Sequence, residues 1–212
     1  MKYIKKGREP LEYAKWRKRV KGTQDEHYQN GLKNPIKGKL HEALICEQGY
    51  LCAYTMKRID KSTSHIEHIK PESVCRAERT GSDLEYENMV ACFPHEGMPR
   101  KFRYGAQERD DWWENNGAEF VTPLRSNCEK FFRFSLEGII MAANGHVAAK
   151  KTIKMLRLDH GSLTEDRKRV IQEYVYGETG DSPLSVAKSQ HASVSICRSE
   201  EHTSELQSRL HL

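Results

Sequence analysis

Ser64-His65-Ile66-Glu67-His68-Ile69-Lys70-Pro71 is the stretch on which the fold turns. It reads as a short strand over 65 to 69, preceded by a polar turn at Asp60 to Ser64 and closed by Pro71. Leu51 to Met56 reads as its hairpin partner. Beyond it, Asp83 or Glu85 opens a predicted helix in which Met89, Val90 and Cys92 pack back onto the hairpin, ended by Pro94 or Gly97. Strand alternation sends His65 and Glu67 to one face and Ile66 and His68 to the other unless the strand bends at its end.

An acid and a histidine side by side carry a definite chemistry. Hydrolysis of a phosphodiester needs a base for water and a hard cation for the charge that grows on the phosphate. Imidazole, with an ordinary pKa of about 6.5, is mostly neutral and available as that base near neutrality. His68 is therefore the candidate base, and Glu67 the candidate carboxylate ligand of Mg2+ or Mn2+. His65 is either a partner that supports this pair or an ordinary strand residue. One metal ion suffices.

The bulk composition frames this reading. The chain has 212 residues, 31% of them charged, with a formal net charge of +5. This length suits one domain with a real core. Mean hydropathy is −0.81, and the longest apolar run, Ile139 to Ala143, is far too short to span a bilayer. Met1 to Lys6 is basic but no apolar region follows, so neither a membrane partner nor a secretory signal is expected and the cytoplasm is the expected compartment. Met1 to Gly22 holds nine Lys or Arg against Glu9 and Glu12, an excess of seven. Such an arm suits nucleic-acid phosphates; the plainer alternative is a solvated basic helix with an apolar seam of Leu11, Ala14 and Val20. Six scattered cysteines point to core residues or metal ligands rather than a disulfide framework.

Helical patterning covers Glu9 to Lys21 and Gly38 to Gln48, the latter stopped by Gly49. Residues 98 to 118 are irregular, and Trp112-Trp113 there are read as loop anchors, with base stacking as the alternative. Phe131 to Phe134 and Ile139 to Ala142 form a predicted second hairpin turned at Glu137-Gly138. Lys150 to Leu158 and Thr164 to Tyr176 are predicted helices, Ser162 and Glu165 having capping-box spacing. After Gly177 the periodicity ends. Residues 177–197 read as a linker or tail. Arg198-Ser199-Glu200-Glu201-His202-Thr203-Ser204-Glu205-Leu206-Gln207-Ser208 looks like the translation of a sequencing-library adapter, so 198–212 is set aside as an assembly artefact.

The order Glu67-His68, Pro71, then Asn88 before Val-Ala-Cys resembles the HNH nuclease motif. That resemblance implies an α+β chain with a ββα-metal core, about residues 50–97, inside one domain over 1–176. It implies that the strand bends so that Glu67 and His68 converge on one ion. It also offers Asn88 to orient His68 or contact the ion, against a simple helix cap. HNH nucleases commonly close the metal site with a His or Asn further along the helix. His95, seven residues after Asn88, is the nearest candidate, with a surface histidine as the competing account. Many relatives hold a structural zinc with two Cys-x-x-Cys pairs. Here only Cys52, Cys92 and His95 remain of the four, so Cys52 and Cys92 are read as buried residues and zinc is not expected.

Further stretches resemble the Septu-type and retron-associated PtuB-like HNH effectors: Met1 to Gly7 with Glu9-Pro10, Glu47-Gln48-Gly49-Tyr50-Leu51-Cys52-Ala53-Tyr54, and Pro123-Leu124 with Asn127-Cys128-Glu129. This resemblance spans nearly residues 1–176. It implies antiphage defence with a PtuA-like ATPase holding the nuclease in check and, in retron versions, a reverse transcriptase and its small DNA. DNA and transfer RNA are both open as substrates. The alternatives are a nucleic-acid-binding module of the same complex that no longer cleaves, and a zinc-stabilised interaction protein.

Overall fold

In the computed structural model the described residues are 1–79, 81–98 and 102–176. The tail and the adapter-like segment at 177–212 lie outside them. Helix α1 spans Leu11–Val20 and buries Tyr13, Trp16 and Val20. The expected seam is thus corrected: Leu11 is 68% exposed, because the 13-16-20 face offers two aromatic rings, stacked 5.6 Å apart, and so more apolar area to remove from water. Helix α2, Tyr28–Gly31, is a single turn capped by His27, whose Nδ1 accepts from the Gln29 amide at 3.2 Å. Helix α3, Ile36–Glu47, buries Leu40, Leu44 and Ile45. Gly49, at φ +63°, supplies the expected stop.

Strand β1 is His65–His68, as the sequence predicts, but its partner is not Leu51 to Met56. Leu51 makes one isolated bridge to Arg58 around a tight loop, in which the Cys52 amide donates to Lys57 O at 2.7 Å. After helix α4, Glu72–Glu78, come two 3-10 turns, Ser82–Leu84 and Tyr86–Asn88, where a longer helix was predicted. Strand β2, Met89–Cys92, follows and pairs antiparallel with β1, His65 opposite Cys92 and His68 opposite Met89. A fully buried run of four apolar residues fits a helix or a strand equally well. Tertiary contacts decide for the strand. The side-chain amide of Gln48, just past α3, accepts from Ala91 N at 2.6 Å and donates to Ala91 O at 2.8 Å. Ala53 N also donates to Ala91 O, at 3.1 Å. The edge of β2 away from β1 is thereby satisfied without a third strand.

Helix α5, Ala106–Arg109, is one turn. Strands β3, Phe132–Phe134, and β4, Ile140–Ala142, form the second hairpin as predicted. It turns at Gly138, where φ is +76° and a Cβ would lie 2.2 Å from Thr164 O. Helices α6, Val147–Met155, and α7, Gly161–Tyr176, complete the described chain. The capping-box reading of Ser162 is corrected: Ser162 sits inside the first turn, and His160 Nδ1 accepts from its amide at 3.3 Å. The architecture is α+β, two small antiparallel sheets among helices. One apolar core runs from Met1 to Leu158, with Trp112 inside it, edge-on to Phe120 at 5.7 Å. Trp112 is a loop anchor. No helix among the described residues is long and apolar enough to cross a membrane.

Candidate active site

Strand β1 stays regular through His68, so its residues alternate half-buried and buried. His65 and Glu67 project from one face and Ile66 and His68 from the other. The bend required for Glu67 and His68 to share a face is absent within the strand, and no hydrogen bond joins the two side chains. Their charges still interact, the Glu67 carboxylate acting to stabilise the protonated His68 ring.

His68 is 7% exposed, and its ring lies edge-on to buried Tyr28, centroids 4.5 Å apart. Nε2 is 2.9 Å from the Asp83 carbonyl oxygen. A carbonyl only accepts, so Nε2 carries the proton and Nδ1 keeps its lone pair. Burial holds the ring below the ordinary imidazole range, against the opposing pull of Asp83 O and Glu67. His68 is thus a neutral imidazole of fixed tautomer with one basic nitrogen.

The group that fixes the tautomer is the Asp83 carbonyl rather than Asn88. Asn88 Oδ1 accepts from Lys70 N at 2.7 Å, while Nδ2 donates to Lys70 O and Ser82 O, both at 3.0 Å. Its amide is fully used in joining the chain two residues past His68 to the residue before Asp83. Asn88 is the last residue of a 3-10 turn and caps no α-helix. These three contacts are all to main chain, so Asn88 reaches His68 only through backbone.

On the other face, Glu67 Oε2 lies 3.5 Å from His65 Nε2. His65 Nδ1 bonds the Pro94 carbonyl, so Nδ1 carries hydrogen and the Nε2 lone pair faces a carboxylate oxygen. Two lone pairs cannot meet unless a second proton or a cation stands between them. In the protein alone the proton is favoured: burial lowers the His65 pKa, but Glu67 and Pro94 O outweigh it and raise it. Glu67 is lowered, since His65 and Arg109 together overcome the penalty of its burial. This pair of converging donors is what a hard divalent ion would use, with waters and substrate oxygens completing its shell. Among the described residues no group of three or more His, Cys, Asp or Glu converges in a metal-binding arrangement.

The residue that reaches Glu67 from beyond β2 is Arg109, not His95. Its guanidinium is almost wholly buried, with Nη1 2.8 Å from Glu67 Oε1, 2.8 Å from His68 O and 3.3 Å from Tyr54 Oη, while Nη2 bonds Ile69 O. Its plane lies 4.8 Å over Phe120. Nothing in the sequence marks this residue, 42 positions after Glu67 in an irregular segment. His95 sits exposed in the loop after β2. Its charge and those of His65, Lys61 and Lys37 help hold His41 down to about 4, although burial contributes most. His41 Nε2 bonds Ser64 Oγ at 2.9 Å, beside His65. Cys52 and Cys92 are fully buried, Cys92 as the last residue of β2 and Cys52 beside it with Sγ accepting from Phe93 N at 3.3 Å.

No protein-family profile matches the sequence. The chain is 26% identical over 155 residues, 71% of its own length and 70% of the relative's, to a protein of Vibrio cholerae serotype O1 biovar El Tor that by name is an HNH endonuclease of retron Vc95.

Proposed function

We propose that this chain is a divalent-cation-dependent HNH-type endonuclease that hydrolyses phosphodiester bonds of nucleic acid. The observation that carries the reading is His68: buried beside Tyr28, proton fixed on Nε2 by Asp83 O, lone pair free on Nδ1. Cleavage in this reading requires the end of β1 to bend on substrate binding and bring His68 Nδ1 to the Glu67 face; there Nδ1 takes the proton from water, the hydroxide attacks phosphorus, and the bond from phosphorus to the departing sugar oxygen breaks. Glu67 Oε2 and His65 Nε2 would hold Mg2+ or Mn2+, which when bound neutralises charge on the crowded phosphate and the departing oxygen. Asn88 keeps the Lys70 and Asp83 segments in register around His68, and exposed His95 belongs to the rim. The relative's name and the motif resemblance both support this reading.

The biological setting proposed with it is that of an antiphage effector held in check by a PtuA-like ATPase, joined in a retron system by the reverse transcriptase and its small DNA. Purified protein incubated with DNA and with transfer RNA in Mg2+ or Mn2+ tests the chemistry. Wild type is expected to cleave at least one, and His68→Ala to lose at least about a hundredfold in rate with its circular dichroism intact. Undiminished cleavage by that variant means that another group is the base. Copurification with the ATPase tests the setting.

One observation favours a second reading, a binding module that does not cleave: Arg109 already occupies one oxygen of the only carboxylate in the pair. Metal-dependent nicking by the wild type excludes it.

A further inference from the structure

On one carboxylate, two opposite demands meet. Glu67 Oε1 is held by Arg109, whose guanidinium also fastens His68 O and Ile69 O, so the side chain cannot swing away without leaving two carbonyls unpaired. Glu67 Oε2 faces His65 Nε2. A cation entering between these last two atoms would bind a carboxylate already neutralised by a full positive charge 2.8 Å from its other oxygen. It would find one oxygen and one nitrogen from the protein and no third His, Cys, Asp or Glu among the described residues. A hard divalent ion wants six or more ligands, most of them oxygen, and readily takes phosphate oxygens.

Resting on the endonuclease reading, we propose that Arg109 is a positioning residue that occupies Glu67 Oε1 and offsets the charge of that carboxylate, so that the free protein holds its divalent ion weakly and the ion and the nucleic-acid phosphate bind as a pair. Glu67 is restricted to one-oxygen ligation. The negative phosphate supplies both the missing ligands and the charge that Arg109 has cancelled. Nucleic acid and cation are then linked reciprocally, each tightening the other by the same factor. The protein would be largely metal-free until substrate arrives.

The test reads Mn2+ binding directly, by the electron paramagnetic resonance signal of the free ion, and needs no turnover. In a His68→Ala background, short DNA and RNA oligonucleotides are titrated with and without Mn2+. At least one is expected to tighten Mn2+ binding about tenfold or more, with Mn2+ tightening that oligonucleotide equally. In the protein alone, Arg109→Gln is expected to bind Mn2+ at least about tenfold more tightly than Arg109, whereas Arg109→Lys, which keeps the charge, stays near wild type. Mn2+ binding as tight without nucleic acid as with either, or a folded Arg109→Gln with unchanged or weaker binding, overturns the proposal. If Arg109→Gln fails to fold, the linkage measurement decides alone. Glu67→Gln separates the two levels: unchanged Mn2+ binding there sinks the assignment of Glu67 as a ligand, whereas lost binding there with no effect of Arg109→Gln sinks only the role of Arg109.

Discussion

His68 and Asn88 show how backbone placed by distant groups fixes the chemistry a single side chain can offer. The Asp83 carbonyl selects the His68 tautomer, and Asn88 holds Ser82, the residue before Asp83. Because burial lowers the His68 pKa, the ring stays neutral to more acidic pH than free imidazole. The rate-pH profile of cleavage is therefore expected to keep its plateau below the ordinary value of 6.5 before falling on the acid side; an acid limb centred above 6.5 contradicts the assignment. Asn88→Ala leaves Lys70 N, Lys70 O and Ser82 O to find new partners, costing about 2 kcal/mol in denaturant unfolding and slowing cleavage. Asn88→Asp is not expected to rescue it, since a carboxylate can accept from Lys70 N but cannot donate to the two carbonyls. Of the site residues, Glu67, His68 and Asn88 were legible as types in a pattern. Arg109 was not, because a guanidinium that reaches a carboxylate 42 positions away leaves no periodic trace.

Among the elements, those with a strong local signal were legible: α3 by its three-four spacing, the second hairpin by its glycine turn, and the presence of α1 and α7, though not the α1 seam or the start of α7. The error lay in the β1 pairing. Met89 to Cys92 is too short and too evenly apolar for its period to tell helix from strand, and its identity is set by Gln48. That side chain makes three hydrogen bonds, to Ala91 N, Ala91 O and Leu51 O. Gln48→Ala should leave Ala91 N without its partner on a buried strand and Ala91 O with Ala53 N alone, lowering stability by about 1–3 kcal/mol, while Gln48→Glu recovers only the acceptor half. Hydrogen exchange of the Ala91 amide gives a local reading: it should speed up in Gln48→Ala more than amides of β3 do.

Over the whole molecule, charge does two separate jobs. Part of the basic arm is structural: Lys6 pairs with Glu47 at 2.6 Å and lies 3.7 Å over the Tyr86 ring, and Arg17 pairs with Glu9 at 2.7 Å. Lys15, Lys18, Arg19 and Lys21 face outward. Replacing these four with Gln is expected to reduce the slope of log affinity against log salt for DNA, by about 0.9 for each phosphate that is no longer neutralised, while the melting temperature stays nearly unchanged. Proton linkage is the second job. His41 and His68 both have folded pKa values lowered, first by burial, so the unfolded chain binds more protons below 6.5. Their stabilisation is complete above 6.5 and is lost as pH falls through the folded values. His65, raised by Glu67 against its burial, works the other way: its stabilisation is complete below 6.5 and fades as pH rises through its folded value. The melting temperature is expected to fall between about pH 7 and pH 5, and His41→Gln to flatten that fall. A profile indifferent to His41 would assign the acid sensitivity elsewhere, and partial exposure of His41 reduces its share.

What the residues determined unaided was the chemistry on offer and the local elements that carry it: a carboxylate and an imidazole on a short strand, an amide downstream, amphipathic helices, a glycine-turned hairpin. These follow from side-chain type and short-range periodicity. The fold alone decided that His68 faces a carbonyl, that Asn88 grips main chain, that β2 is a strand, and that a buried guanidinium shares the carboxylate of Glu67. Each of those depends on groups distant in sequence meeting in a dry interior, where leaving a buried donor or acceptor unpaired is costly.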